Sequence, residues 1–425
     1  LYKLKLCIAR VAMNHPSREE FLEILRQRCK FKPKIKTIPV EKSLGRTLAC
    51  DVFSRRDIPA ARSSALDGIA FKFENLSKKD EREWVLGDDY AFGNTGVCID
   101  DEFDTVVRIE DVSFENEKLR IVKAPAYEGC NVNQVGSFIK EKELLIKSGE
   151  VLRAEHICLM AAAGVKSVEV LARPVVAFIP TGDELSHFKM PLKTGKNAEA
   201  NSLLFKTLMR EWGAKANVYP IIPDDLWLLK QTLQDAVQNS DIVVFNAGSS
   251  KGTMDFTSKV FQSLGELVVS ALSHAPAKPT SFAMIGDTPV LGVVGPSIGA
   301  ELTMRWYLKP LIEWFSKRPN VKPAVLNVTL MSDFSAPAML DLYQQVIILK
   351  QKESYLCYPP SIINHSARIS CVSYANAVLK IPKGETLFKG EEAVVELKVD
   401  KAFIKEASKW RTYESDPCSN LKTNT

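Results

Sequence analysis

Short apolar runs alternate with longer amphipathic runs between residues 174 and 317, and this rhythm limits the folds open to the chain. It predicts strands at 175–179, 215–222, 241–246, 266–272 and 290–294, and helices at 199–212, 225–238, 255–264 and 298–316. Strands that alternate with helices are typical of a parallel sheet covered by helices on both faces. The middle of the chain is therefore expected to be an α/β domain.

The flanking segments have a different pattern. Residues 80–150 and 324–399 contain short strand-like runs separated by turn residues, which indicates β structure on both sides of the α/β domain. Helical spacing of apolar residues predicts two further helices at 17–29 and 153–163. The predicted fold class is α/β plus β in a multidomain chain.

Charge and cysteine content exclude several classes of protein. The net charge of the 425 residues is +5 and is spread along the chain, which argues against nucleic-acid binding. No apolar run reaches the roughly 18 residues of a membrane span. The nine cysteines are scattered without the spacing of a zinc site, so we expect a reducing compartment such as the cytoplasm.

Three acidic positions follow predicted strands of the α/β region. They are Glu184 with Asp183 in FIPTGDEL, Asp224 in IIPDD, and Asp255 in GTMDFT. Loops at the carboxyl ends of parallel strands meet at one edge of the sheet. Carboxylates there suit Mg²⁺, which takes one or two of them together with water and phosphate oxygens. The alternative is that each acid caps a helix N-terminus.

Three loops of small or basic residues are candidates for anion binding. One contains Gly248, Ser249 and Ser250, the second contains Lys278 and Pro279, and the third places Ser297 at a helix start. Backbone amides at such positions bind anions, although the pattern of a P-loop is absent and each segment also reads as a plain connection.

Asp67 lies far upstream, in RSSALDGIA, where Asp-Gly first indicates a turn. A functional role requires it to reach a distant site, for example on another subunit. The five histidines are dispersed, and no Ser-His-Asp or Cys-His system is legible.

Taken together, the motifs resemble those of the molybdopterin molybdenumtransferases, the MoeA and gephyrin E-domain family. The resemblance spans roughly residues 15–400 and depends on the order of SALDGIA (64–70), EGCNVNQVG (128–136), PTGDEL (180–185), IIPDD (221–225), AGSSKGTMDFT (247–257), AKP (277–279) and ARISCVSYANAV (367–378).

The resemblance implies an elongated homodimer with a molybdopterin-binding-like central domain and a small C-terminal β-barrel. The implied parts are a linker and dimerisation region at 1–75 and 150–173, a β-rich inserted domain at 76–149, an α/β catalytic domain at 174–317, a β domain at 323–402 and a tail at 403–425. Such proteins insert molybdate into adenylylated molybdopterin with Mg²⁺-dependent release of AMP. A molybdopterin adenylyltransferase is the implied upstream partner.

The resemblance also implies roles for individual residues. The acids of the catalytic cleft correspond to Asp67, Glu184, Asp224 and Asp255, of which the last three are the implied metal ligands. Positions near the substrates correspond to Thr95, Gly182, Asp183, Gly248, Ser249, Ser250, Lys278, Pro279, Ser297 and Ser366.

The chain departs from the family pattern around the anion. A family lysine is replaced by Ala275, a family arginine by Gln345, and the family loop GxPGNPxS by GVVGPSIG at 292–299. A second hypothesis is therefore a catalytically impaired paralogue that binds a pterin or acts as a scaffold, as gephyrin does. A third is an unrelated α/β enzyme that binds a nucleotide or a sugar phosphate.

Overall fold

A computed structural model describes residues 15–247, 253–360 and 371–409. The chain divides into two compact units, one of residues 34–172 and the other of residues 1–33 together with 173–425. Each unit has its own hydrophobic cores.

The first described helix, α1 (Arg18–Arg28), begins at a capping box. The Ser17 hydroxyl accepts a hydrogen bond from the Glu20 amide at 3.3 Å, and the Glu20 carboxylate accepts one from the Ser17 amide at 2.8 Å. Such reciprocal bonds satisfy amides that a helix start leaves without partners. Phe21 and Leu25, one turn apart, are fully buried in the core of the larger unit. The sequence prediction of this helix is confirmed.

The unit of residues 34–172 is built mainly of short strands. Its elements are β1 (Ile35–Pro39), β2 (Val52–Phe53), β3 (Ser63–Ser64), β4 (Gly68–Phe71), α2 (Asn75–Lys78), β5 (Tyr90–Gly93), β6 (Thr105–Arg108), β7 (Val112–Glu115), β8 (Lys118–Ile121), β9 (Val132–Asn133), β10 (Leu144–Ile146), α3 (Ala154–Ala162) and β11 (Ser167–Leu171). β4 is the central strand of an antiparallel sheet with β5 and β6, and β1 pairs antiparallel with β11. One core surrounds Met160 of α3, and separate cores surround Phe71 and Val106.

The larger unit contains a six-stranded sheet with the order β15-β12-β16-β20-β19-β17. The elements of this region are β12 (Val175–Pro180), β13 (Leu185–His187), β14 (Asn197–Glu199), α4 (Asn201–Trp212), β15 (Lys215–Val218), α5 (Leu226–Asn239), β16 (Ile242–Ala247), α6 (Thr253–Leu264), β17 (Glu266–Val269), β18 (His274–Ala275), β19 (Ser281–Ile285), β20 (Thr288–Val294), α7 (Ser297–Thr303) and α8 (Lys309–Phe315).

Alternating side chains of β12 show why helices cover both faces of this sheet. Val176 and Phe178 are buried against α1, α4 and α7, whereas Ala177 and Ile179 are buried against α5 and α6. Successive side chains of a strand point to opposite faces, so an uninterrupted apolar run requires burial on both. Burying one large apolar side chain contributes about 1.5–3 kcal/mol, which makes these two cores the main support of the sheet.

The sheet is parallel from β15 to β20, but its far edge differs from the prediction. The strand β19 was not predicted, and it pairs antiparallel with both β20 and β17. β19 and β20 are joined by a two-residue turn whose first residue, Gly286, has φ of 58°. A glycine in this region permits the tight hairpin, which inserts an antiparallel strand where the sequence rhythm predicted only a loop.

The helix predicted over 298–316 is interrupted by a π turn at Met304–Leu308, between α7 and α8. Pro310 follows directly in the first turn of α8. A proline inside a helix removes one N–H donor and crowds the carbonyl four residues earlier. The wider turn accommodates this ring within one continuous helical segment.

The C-terminal part of the larger unit is a small closed barrel. Its elements are β21 (Val325–Leu330), β22 (Phe334–Ser335), β23 (Asp341–Gln351), β24 (Ser354–Tyr358), α9 (Cys371–Tyr374), β25 (Ala377–Ile381), β26 (Thr386–Leu387) and β27 (Glu392–Leu397). The order β23-β24-β21-β27-β25 closes because β25 also pairs with β23. Its interior includes Val346, Leu379 and Val395. Within the described ranges, no helix is long and apolar enough to cross a membrane.

A buried aromatic and charged cluster joins α1, the α/β region and the barrel. The Nε2 atom of His274 is 2.7 Å from the Tyr307 hydroxyl. The Arg18 guanidinium lies over the Trp306 ring, 4.6 Å from its centroid, and forms an ion pair with Glu396 at 2.7 Å. Burial, reinforced by the positive charge of Arg18, lowers the pKa of His274 to about 4. The imidazole is therefore neutral in the folded protein at neutral pH.

This cluster predicts an acid-sensitive stability. Unfolded His274 takes up a proton near pH 6.5, whereas folded His274 does so only near pH 4. Between these values the unfolded state binds more protons, so the free energy of unfolding falls as the pH falls, by up to ~1.4 kcal/mol per pH unit. Urea unfolding between pH 7 and pH 4.5 should show a shallower decline for His274→Gln than for wild type. The exposed control His187→Gln should follow wild type, and parallel curves for all three proteins would contradict the assignment.

Candidate functional site

The loop after β12 is held between the ends of its two neighbouring strand segments. The backbone amide and the hydroxyl of Thr181 both donate to the Asn246 carbonyl, at 3.0 and 3.2 Å. The Gly182 amide donates to the Ile222 carbonyl at 3.1 Å. These bonds fix the position of Asp183 and Glu184 at the carboxyl edge of the sheet, where the sequence predicted them.

Gly182 is required by the close approach of the Glu184 side chain. Its φ is 142°, and a Cβ atom at this position would lie 2.5 Å from Glu184 Oε2. Any side chain here would strain the backbone and displace the carboxylate. The position of the Glu184 carboxylate thus depends on the absence of a side chain two residues earlier.

Three carboxylates converge beside this loop. Asp183 Oδ1 accepts a hydrogen bond from the Asp224 amide at 3.2 Å, which joins the β12 loop to the segment before α5. Burial and the neighbouring negative charges of Asp183 and Glu184 raise the pKa of Asp224. Uncompensated negative charge of this kind attracts a cation. Across the described residues, however, no group of three or more His, Cys, Asp or Glu side chains has the arrangement of a complete metal site.

Buried amides connect the ends of β12, β16 and β20. Asn246 Nδ2 donates to the carbonyls of Val293 and Val294, at 3.2 and 2.8 Å. Asn201 Nδ2 donates to Asn246 Oδ1 at 3.0 Å and to the Gly295 carbonyl at 2.7 Å.

The same amides reach the start of α7. The Ser297 hydroxyl donates to Asn201 Oδ1 at 2.8 Å. Since Asn201 begins α4, the network sets where two helices begin at the carboxyl edge of the sheet.

A cleft of about 390 Å³ opens along this network. Its lining residues are Thr181, Glu184, Leu185, Asn197, Ala198, Glu199, Ala200, Asn201, Asn246, Gly295, Pro296, Ser297 and Ile298. The volume is within the range of small-molecule sites. The cleft therefore offers a carboxylate on one side and the first turn of a helix on the other.

Five of the predicted site residues of this unit lie in the cleft or next to it. Glu184 and Ser297 line the cleft, and Gly182, Asp183 and Asp224 adjoin it through the contacts described above.

Lys278 and Pro279 are not among the lining residues. They belong to the segment before β19, which packs along α7. There the Thr280 and Thr303 hydroxyls are 3.3 Å apart.

Asp67 and Thr95 lie in the unit of residues 34–172 and contact each other. Asp67 Oδ1 accepts hydrogen bonds from the Thr95 amide at 2.7 Å and from the Thr95 hydroxyl at 3.0 Å. These bonds, the amide first, lower the pKa of Asp67 and keep its carboxylate ionised. The predicted catalytic role of this pair stays a prediction.

The remaining predicted residues lie at or beyond the limits of the description. Gly248, Ser249, Ser250 and Ser366 are outside the described residues. Asp255 is in the first turn of α6, but its side chain is also outside the description. Their assignments stay predictions.

Among the polar residues of the cleft that sequence reasoning missed are Glu199 and Asn246. Glu199 is buried, and its carboxylate accepts a hydrogen bond from the Ser202 amide at 2.9 Å, so it caps α4. Asn246 is also buried and forms the connections described above. The available signal was a polar residue at the end of the apolar run IVVFN, where a buried amide must find partners.

Comparison with known proteins gives two matching family profiles. The MoeA N-terminal region (domain I and II) matches residues 16–164, and a probable molybdopterin binding domain matches residues 177–314. Together they span more than half of the chain.

Curated relatives match along nearly the whole chain. A molybdopterin molybdenumtransferase of Staphylococcus aureus (strain COL) is 25% identical over 400 residues, which cover 89% of this chain and 94% of that protein. One of Staphylococcus epidermidis (strain ATCC 12228) is 24% identical over 378 residues, covering 84% and 89%.

A solved structure agrees with these matches. The crystal structure of a molybdopterin biosynthesis MoeA protein from Pyrococcus horikoshii is 27% identical, with a TM-score of 0.73, and covers 90% of this chain and 99% of that one. A second structure of a MoeA protein from the same organism, with a TM-score of 0.66 and 22% identity, shares the fold.

The amide network predicts a stability cost. Asn246→Ala removes the hydrogen bonds that this side chain makes with the Val293 and Val294 carbonyls and with Asn201 Nδ2. Buried groups deprived of hydrogen bonds cost about 1–3 kcal/mol each, so urea unfolding should show a loss of at least that size. The control is Asn239→Ala, an exposed asparagine at the end of α5, with an expected change below about 0.5 kcal/mol. Equal losses in the two variants would show that the network does not support the sheet edge.

Proposed function

Since the chain belongs to the MoeA family, we propose that it is a molybdopterin molybdenumtransferase that inserts molybdate into adenylylated molybdopterin and releases AMP. Family profiles over both main regions support this assignment, as do relatives that align over most of the chain. The impaired-paralogue hypothesis is not favoured, because the curated relatives reported above carry the transferase name. The alternative of an unrelated α/β enzyme is set aside by the match to the MoeA structure.

The observation that carries the proposal is the convergence of Asp183, Glu184 and Asp224 at the mouth of a cleft bounded by α7. A phosphoanhydride and molybdate are both anions. Anions are stabilised by backbone amides at a helix start, and cleavage of a phosphoanhydride is assisted by a divalent cation on the phosphate oxygens. The cleft combines carboxylates suited to a divalent cation with a helix start suited to an anion.

The residues present fit a magnesium ion whose coordination is completed by the substrate. Glu184 and Asp224 are the described candidates to hold it, with Asp255 as a third by resemblance. Mg²⁺ keeps several waters and takes phosphate oxygens in such sites, so two protein carboxylates suffice. When bound, the ion would polarise the phosphoanhydride and stabilise the departing AMP.

The residues of the proposed site then have distinct tasks. Gly182 gives the Glu184 carboxylate its position, and Asn201 holds the Ser297 hydroxyl at the start of α7. We assign Lys278, an exposed cation beside α7, to molybdate, because a compact ammonium acts as a point charge on oxyanions. Asp67, Thr95, Gly182, Asp183, Gly248, Ser249, Ser250, Pro279 and Ser366 keep the roles that the family resemblance implies.

The family resemblance also supports proposals about assembly. We propose a homodimer in the cytoplasm that receives its substrate from a molybdopterin adenylyltransferase. Size-exclusion chromatography with light scattering tests the first point. A monomer at micromolar concentration would contradict it.

The function itself is tested by reconstitution. Purified protein is mixed with adenylylated molybdopterin, molybdate and MgCl₂, and AMP and the metallated pterin are quantified. We expect equimolar AMP and product, and no AMP when Mg²⁺ is chelated. Protein that binds the pterin but releases no AMP would support the impaired-paralogue hypothesis instead.

Glu184→Gln should abolish AMP release, since an amide lacks the charge that holds a divalent ion. The melting temperature should change little, because removing one of three repelling carboxylates does not disturb the core. Glu353→Gln, at an exposed residue of the barrel, is the matched control and should keep wild-type activity. Full activity of Glu184→Gln, or a large loss of stability, would contradict the assignment.

Lys278→Ala should weaken the use of molybdate more than the binding of the pterin nucleotide. The expected change is an increase of about tenfold in the molybdate concentration needed for half-maximal product, which corresponds to ~1.4 kcal/mol. Initial rates at varied molybdate and fixed pterin measure it, with Lys322→Ala as an exposed control. Equal loss for both substrates would contradict an anion-specific role.

A further inference from the structure

We propose that the Lys196 ammonium binds the phosphate of the adenylyl group in this cleft. The inference deepens the proposed function and rests on it for the identity of the substrate. It starts from the strands β13 and β14, both of which contribute residues to the cleft lining.

Lys196 stands directly before β14, at the rim of the cleft. Its Nζ atom donates to the Asp183 carbonyl oxygen. The amide of the next residue, Asn197, donates to the Glu184 carbonyl at 2.7 Å. Two successive residues thus bind the backbone of the two acids, and the ammonium is held beside the loop that carries them.

The charge of Lys196 is not neutralised by this contact. Its bond goes to a backbone carbonyl, and no described carboxylate forms an ion pair with it, although Asp183, Glu184 and Asp224 are grouped nearby. The side chain is exposed. A solvated ammonium beside this cleft is available to a ligand, and it retains two further N–H donors.

Two other cations of this unit share one acid. Lys398, whose side chain is 7% exposed, pairs with Glu301 at 2.9 Å, and Arg305 pairs with the same carboxylate at 2.7 Å. Gln345 donates to Glu301 as well, at 2.9 Å. Gln345 is therefore part of a buried ion cluster built around Glu301.

Asp183, Glu184 and Asp224 repel a phosphate, so a phosphate that binds in the cleft requires positive charge nearby. A phosphate between a carboxylate-bound cation and an ammonium is stabilised on two sides. Lys196 supplies a positive charge next to the loop that carries Asp183 and Glu184, which it contacts directly.

The test compares Lys196→Gln, Lys196→Arg and the matched control Lys193→Gln, an exposed lysine of the same loop whose side chain makes no described contact. AMP affinity is measured by calorimetry in MgCl₂ at several salt concentrations. AMP release is measured in parallel. We expect Lys196→Gln to weaken AMP binding about tenfold and to flatten its salt dependence, with partial rescue by Lys196→Arg and no effect of Lys193→Gln.

The outcomes separate the inference from the function. If wild type releases AMP while Lys196→Gln binds AMP as tightly as wild type, the inference is overturned and the function stands. A weakening with wild-type salt dependence would assign Lys196 only to holding the Asp183 carbonyl, which also overturns it. If wild type binds AMP in a Lys196-dependent way but never releases it from the pterin, the inference stands and the function fails. Absence of AMP binding by wild type would refute the inference.

Discussion

The amide of Asn246 is the contact on which the cleft depends. The Asn246 side-chain oxygen accepts a hydrogen bond from the Asn201 side-chain amide, and Asn246 Nδ2 donates to two carbonyls at the end of β20. The Asn246 backbone carbonyl accepts hydrogen bonds from the amide and the hydroxyl of Thr181. Three strand ends and the start of α4 are thereby held in one arrangement. Buried amides without partners cost free energy, so this hydrogen-bonding arrangement is favoured over others. It fixes the position of the loop after β12 that carries Asp183 and Glu184.

The second constraint is electrostatic. Folding brings Asp183, Glu184 and Asp224 together although their charges repel, and this repulsion, with burial, raises the pKa of Asp224. Sites of chemistry often carry such perturbed groups, since a ligand of the opposite charge recovers the cost of the repulsion when it binds. We propose a divalent cation and the ammonium of Lys196 as the two groups that bind the anionic substrate in this cleft.

Much of this arrangement was legible in the sequence. The uninterrupted apolar run of β12 predicted burial on both faces, and the turn after it placed Glu184 at the sheet edge. The strand β19 was not predicted, because its pairing depends on the hairpin at Gly286, which the alternation of strands and helices does not reveal. Asn246 was missed because its partners are far away in the chain, and a single sequence does not show which buried polar groups will meet.

The central claim is that Glu184, which follows β12, and Asp224, which precedes α5, form a divalent cation site completed by phosphate. Its most direct test is the titration of wild type and Asp224→Asn with Mn²⁺, in the presence of AMP, followed by electron paramagnetic resonance. We predict one bound ion for wild type and an affinity weaker by about tenfold or more, ~1.4 kcal/mol, for the variant. Equal affinity of the two proteins, or no dependence on AMP, would contradict the account.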